Sequence, residues 1–139
     1  MENNEALLNE IYNNSITAIN VISQVLRKTE NRSMFECLFD IMLEYRSIAD
    51  DAYNLLNNKT PSYNMNDFFS HIAVYSAFGK PSSKRLAKIL ISGSREGFFS
   101  LVDLVNSSTS ATKEVRHLAY RLMEIEDKNI NEMKKYLKS

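Results

Sequence analysis

Apolar side chains recur at alternating steps of three and four residues along four long stretches of this chain. Such spacing keeps side chains on one face of an α-helix, so that this face can be buried while the other stays in water. The sequence therefore predicts an all-α protein built as a four-helix bundle. The inward positions of the first two stretches are Leu8, Ile11, Ser15, Ala18, Ile22 and Val25, then Leu38, Ile41, Tyr45, Ile48, Ala52 and Leu55.

Turn and capping residues give the expected helix boundaries. Ser33 and Glu36 have the spacing of a capping box, in which both side chains bond free backbone amides at the start of a helix. The polar turn at 106–110 is expected to supply another N-cap. With a short turn at 29–32, helices 1 and 2 form an antiparallel hairpin. The expected spans are about 4–28, 33–57, 82–106 and 111–137.

The connection between helices 2 and 3 decides the topology. Residues 67–78 form a short amphipathic segment between Pro61 and Gly79. A helix of 25 residues is about 38 Å long, and the connection is long enough to run the length of such a bundle. Two hairpins joined by this long crossover would be the ferritin-like plan. A simple up-down-up-down bundle, with residues 67–78 as a cap, stays open as the alternative.

Two stretches carry a resemblance to a known group. Helix 3 reads Ile89-Leu90-Ile91-Ser92-Gly93-Ser94 with Gly97 following, and helix 4 contains the run from Leu118 to Ile130. In these stretches and in the arrangement of its hairpins, the chain resembles small ferritin-like bacterial proteins of unassigned function. The resemblance covers nearly the whole chain. It implies a ferritin-like bundle rather than any particular activity.

Composition limits the possible functions. Three glycines and two prolines in 139 residues are too few for the turns of a sheet protein, and the length predicts one domain, 1–139. The net charge is zero, which argues against a nucleic-acid partner. No apolar run approaches the roughly 20 residues that span a bilayer. The acidic start lacks an apolar signal region and Cys37 has no cysteine to pair with. A cytoplasmic protein is expected.

The charges are unevenly distributed along the chain. Residues 1–57 hold nine acids and four bases, a balance of −5, whereas residues 58–139 hold eight acids and thirteen bases, a balance of +5. The two halves could attract each other within one chain. They could also pair between two copies, and a homodimer is the prediction.

A di-metal carboxylate site would need Glu and Glu-x-x-His ligands that project into the bundle centre. The single match to the second motif is Glu114 with His117, and the other candidate ligands are Glu44 and Glu96. The match flanks the inward face near the start of helix 4, so no cofactor is predicted. Iron or manganese belongs to the alternative in which these four residues form an atypical ligand set.

Helix 3 holds the remaining candidate residues. Gly93 and Gly97 fall on its inward stripe, although a glycine inside a helix costs about 1 kcal/mol relative to alanine. They indicate close packing against a large neighbour such as Phe35, Phe39 or Tyr45, a small ligand cavity, or an oligomer contact. The basic start of the helix could hold an acidic or anionic partner on free amides, hydroxyls and bases. Its residues are Ser82, Ser83, Lys84 and Arg85.

The sequence lacks a complete catalytic constellation, and an enzyme is not the favoured interpretation. The leading hypothesis is a non-enzymatic, ferritin-like bundle that acts as a binding or structural module. The alternatives are a di-metal carboxylate protein and a small-molecule or anion carrier that uses the glycines and the basic start of helix 3.

Overall fold

Four long amphipathic helices make up the part of the chain that the computed structural model describes, residues 2–57 and 81–138. They are α1 (Glu2–Lys28), α2 (Arg32–Leu55), α3 (Ser83–Ser107) and α4 (Lys113–Met133), and a 3₁₀ turn, Lys134–Lys138, follows α4. These two ranges contain no β-strand. The prediction of an all-α protein with four long helices is confirmed. The expected short helix at 67–78 lies outside the described residues.

Side-chain caps fix where three helices begin. The predicted capping box at Ser33 is wrong: the N-cap of α2 is Asn31, whose side chain accepts from the Met34 amide at 2.9 Å. The Ser33 hydroxyl instead bonds the Tyr136 hydroxyl, 2.8 Å away. Helix α3 begins behind Ser82, as expected. Helix α4 begins behind Thr112, two residues past the predicted turn, and its regular part ends at Met133.

Helices α1 and α3 run in opposite directions. The Asn14 amide donates to the Gly97 carbonyl, and the Ser100 hydroxyl donates to the Glu10 carboxylate. Partner numbers on α3 therefore fall as numbers on α1 rise. The short turn between α1 and α2 makes these two helices antiparallel as well.

Helices α2 and α4 are also antiparallel. Tyr45 bonds Glu126, and Asp51, farther along α2, bonds Arg121, which comes earlier on α4. With α1 antiparallel to both α2 and α3, the helices α2 and α3 point the same way. The end of α2 and the start of α3 consequently lie at opposite ends of the bundle.

The core is a continuous apolar cluster to which all four helices contribute. Every named inward position of α1 is buried except Ala18, which is partly buried, and on α2 only Leu55 is partly exposed. No helix among the described residues is long and apolar enough to cross a membrane. One polar cluster interrupts the core between α1, α3 and α4, where it borders a cavity.

Candidate functional site

A cavity of about 290 Å³ opens between the middle of α1 and the middle of α3, with α4 as its floor. It is partly enclosed, and one end of it is apolar. The residues that line it are Glu10, Asn13, Asn14, Thr17, Ala18, Val21, Ile22, Ile89, Leu90, Gly93, Ser94, Glu96, Gly97, Ser100, Glu126 and Asn129.

Glu126 is the acid of the cavity floor. Its side chain is 3% exposed, and its Oε2 atom accepts a hydrogen bond from the Tyr45 hydroxyl at 2.7 Å. Burial raises the pKa of Glu126 from 4.5 to about 8, although hydrogen bonds from Tyr45 and Ser94 oppose this shift. Glu126 thus holds a proton near neutral pH and can release it when a positive charge approaches.

Tyr45 holds this acid from the opposite side of the core. The ring is fully buried on α2, and burial together with the neighbouring Glu126 raises the pKa of its hydroxyl well above 10.0. The tyrosine therefore stays a neutral hydrogen-bond donor and fixes one carboxyl oxygen of Glu126.

Asn129 and Ser94 extend the polar floor by one helical turn. The Asn129 amide donates to the Ser94 hydroxyl at 2.8 Å, and both side chains are buried. The Asn129 Oδ1 atom finds no donor among the described residues, and the same is true of Asn13 Oδ1 on the α1 side. A buried polar atom without a partner costs about 1–3 kcal/mol. Two lining residues thus hold acceptor atoms that lack donors, and both atoms are buried in the cavity walls.

Gly97 is a glycine because the Glu126 carboxyl occupies the space beside it. A Cβ atom at this position would lie 2.8 Å from Glu126 Oε1 and 3.5 Å from Asn14 Nδ2. The large neighbours suggested from the sequence are wrong for Phe35 and Phe39, which are 42% and 43% exposed on α2. Close approach at Gly97 serves the polar floor rather than an aromatic contact.

The mouth of the cavity is polar and acidic. Glu10 on α1 accepts from Ser100 on α3, which ties the two helices together at this point. Glu96 lines the same opening from α3. Among the described lining residues there are three glutamates and no Lys, Arg or His. The cavity therefore favours positive charge and hydrogen-bond donors.

The predicted ligand-binding residues fall into two separate groups. Gly93 and Gly97 line the cavity, as do Thr17 and Ser94. Ser82, Ser83, Lys84 and Arg85 lie at the start of α3, where the Ser82 hydroxyl accepts from the Arg85 amide. Gly93 is eleven residues beyond Ser82 (93 − 82 = 11), or about 16 Å along the helix. The glycines and the basic start therefore do not form one site.

The alternative metal ligands are not brought together either. Glu44 pairs with Lys128 at 3.2 Å, and Glu114 is fourteen residues before that lysine on α4 (128 − 114 = 14). This distance is about 21 Å along a helix. Glu114, His117 and Glu96 are all exposed, and of these three only Glu96 lines the cavity. Within 2–57 and 81–138, no three His, Cys, Asp or Glu side chains are placed to share a metal ion.

Sequence reasoning missed Glu126 and Asn129. A signal existed, because steps of three and four from Leu122 reach Ile125, Glu126 and Asn129 before the apolar stripe resumes at Met133. An acid and an amide on such a stripe indicate a polar interruption of the core. The stripe was instead followed through its apolar members alone.

The fold has a counterpart among solved structures. The crystal structure of a DUF305 fragment from Deinococcus radiodurans matches with a TM-score of 0.77 at 15% sequence identity, covering 99% of this chain and 97% of that chain. No family model and no curated protein sequence matches the chain. At this identity the likeness shows the helical fold alone.

Proposed function

We propose that this protein is a small-molecule-binding module whose ligand occupies the cavity between α1 and α3. The observation that carries the proposal is the polar floor. Glu126 and Asn129 are both buried, and Asn129 leaves an acceptor atom without a donor beside an open volume of about 290 Å³. A bound molecule would provide partners that the described residues do not.

The size of the cavity supports a small ligand. A cavity of about 150 Å³ lined by apolar groups can hold benzene. Roughly twice that volume is available here, so a molecule with one ring and a short polar arm fits. Ligand pockets combine apolar walls with a few convergent polar groups, and this cavity has both.

The ferritin-like plan and the homodimer are part of the same proposal. Helix directions of up, down, down and up are the order that two hairpins joined by a long crossover require. A non-enzymatic role is proposed because the hydroxyl that pairs with a carboxylate at the cavity mouth, Ser100 with Glu10, is exposed and has no His or Lys beside it among the described lining residues. Cytoplasmic location remains the prediction from the sequence.

A fragment screen by two-dimensional amide NMR tests the proposal. We expect at least one fragment to shift the resonances of Asn14, Gly97 and Asn129 in a saturable way. Ala18→Leu fills the cavity from its α1 wall and should abolish those shifts. Ala6→Leu adds the same atoms at an exposed position of α1 and should leave binding unchanged.

Two results would overturn the proposal. One is a complete screen in which no fragment moves the cavity resonances. The other is binding that Ala18→Leu leaves intact, because the ligand would then lie elsewhere. Metal analysis of the purified protein addresses the di-metal alternative separately, since one or more tightly held Fe, Mn or Zn ions per chain would favour it.

A further inference from the structure

The hydrogen-bonding groups of the cavity are unbalanced towards acceptors. Asn13 Oδ1 and Asn129 Oδ1 both lack donors among the described residues, and Asn129 is only 2% exposed. Three glutamates add further acceptor oxygens. The protein donors that reach the floor come from Tyr45, Ser94 and Asn129, and they are already used within it. The missing component is a group rich in N–H donors.

The charges of the cavity are equally one-sided. Glu10 approaches from α1 and Glu96 from α3, and Glu126 on α4 becomes a third negative charge when it releases its proton. The described lining residues include no base that could neutralise them. The group that faces Glu126 from α2 is the Tyr45 hydroxyl, which is neutral. Carboxylates in a partly enclosed space concentrate cations and repel anions.

The upper part of the cavity is apolar. Ala18, Val21 and Ile22 form one wall on α1, and Ile89 and Leu90 form the facing wall on α3. A bare metal ion would gain nothing from this surface. A molecule that carries a hydrocarbon part next to a charged donor would use both regions at once.

We infer that the ligand is a small organic cation, a primary amine with a one-ring or short aliphatic body. This inference rests on the proposed binding function and specifies the class of ligand. The ammonium group lies on the floor, where it donates to Glu126, and to Asn129 once that side chain turns its buried Oδ1 atom towards the cavity. The hydrocarbon body packs between Ile89, Leu90 and the wall of α1.

Binding of such a cation is coupled to proton release. Glu126 carries a proton near neutral pH, since burial raises its pKa to about 8. An ammonium group favours the ionised carboxyl, so the proton leaves to solvent as the amine binds. Affinity for the amine should therefore rise as the pH rises towards 8.

A matched set of probes tests the inference. Benzylammonium, benzyl alcohol and benzoate share one ring and differ in charge. We expect benzylammonium to bind at the cavity, benzyl alcohol to bind at least about tenfold more weakly, and benzoate not to bind. Calorimetry of benzylammonium in two buffers with different ionisation enthalpies should show that close to one proton is released per amine.

Variants test whether Glu126 is responsible for the amine binding and the proton release. Glu126→Gln keeps the shape, and it should weaken benzylammonium binding by about 10- to 100-fold, the effect of one charge-assisted hydrogen bond. It should also remove the proton release and leave benzyl alcohol unaffected. Glu124→Gln makes the same change at an exposed position of α4 and should alter neither.

If Glu126→Gln does not fold, a second variant still tests the inference. The double variant Glu10→Gln with Glu96→Gln removes charge at the cavity mouth and should weaken amine binding by between about 1.5-fold and fivefold. An unchanged amine affinity would contradict the inference. So would benzyl alcohol or benzoate binding as tightly as the amine, although the binding function would then stand. If none of the three probes and no fragment binds, both proposals fail.

Discussion

At the scale of single residues, Glu126 makes the stability of this protein depend on pH. Its pKa is 4.5 in an open chain and about 8 in the fold, because burial disfavours its charge. Below 4.5 both states hold the proton. Between pH 4.5 and 8 only the folded state holds the proton, so the free energy of unfolding falls as the pH rises. Above pH 8 the contribution of this proton to stability is fully lost.

The corresponding measurement is chemical unfolding at a series of pH values. The free energy of unfolding should fall by up to about 1.4 kcal/mol per pH unit within that window. Glu126→Gln should remove this slope and be the more stable protein near pH 8. Glu124→Gln is the control, because that side chain is exposed. An equal slope in wild type and Glu126→Gln would show that Glu126 ionises in the fold as it does in water.

Gly97 is constrained by the same carboxyl. Gly97→Ala should destabilise the fold by about 1 kcal/mol, since overpacking costs about 1–3 kcal/mol and the better helix propensity of alanine returns at most about 1 kcal/mol. In a Glu126→Ala background the obstructing carboxyl is gone, and Gly97→Ala should instead stabilise. Thermal or urea unfolding of the four proteins completes the cycle. Stabilisation in both backgrounds would contradict the contact.

The sequence pointed to part of this site. Gly93 and Gly97 were identified because glycine is costly on the inward stripe of a helix, and both line the cavity. The floor was not identified, because the period of a helix cannot tell whether a polar residue beside the stripe faces a neighbouring helix or solvent. Contact of Glu126 with Gly97 depends on how α3 and α4 pack.

At the scale of helices, variants of Ser82 test whether the basic start of α3 is only an N-cap or also binds an anion. Its hydroxyl accepts from the Arg85 amide at 3.2 Å, as an N-cap does. Ser82→Ala should cost about 1 kcal/mol of stability, and Ser82→Asp should restore it. Ser83→Ala, one residue inside the helix, is the control and should have a smaller effect. If inorganic phosphate stabilises wild type but not Ser82→Ala, the anion site expected from the sequence is real.

The existence of the four helices was predictable from the sequence, but the residues at which some of them begin and end were not. Four apolar stripes predict four helices because burial of one face is what stabilises them. Ser33 matches a capping box by spacing, yet Asn31 caps the helix. Tyr136, more than a hundred residues away, takes the Ser33 hydroxyl. A long-range contact of this kind has no local signal in the sequence.

At the scale of the whole molecule, the uneven charge is partly matched within one chain. Arg121 of α4 lies 2.7 Å from Asp51 of α2, and Lys128 lies 3.2 Å from Glu44. These pairs join the acidic and the basic halves across the α2–α4 contact. Each contributes at most about 1 kcal/mol because it is exposed, but each removes charge that a second copy could use.

This in-chain pairing changes what is expected of the homodimer. A dimer held by acidic helices of one copy against basic helices of the other would dissociate as salt shortens the screening length from about 30 Å at 0.01 M to 3 Å at 1 M. Since α2 and α4 already pair their charges, we expect light scattering coupled to gel filtration to give the mass of a dimer at both salt concentrations. A dimeric mass at low salt that becomes monomeric at high salt would show that pairing between copies dominates. A monomer at every salt and protein concentration would rule out the homodimer altogether.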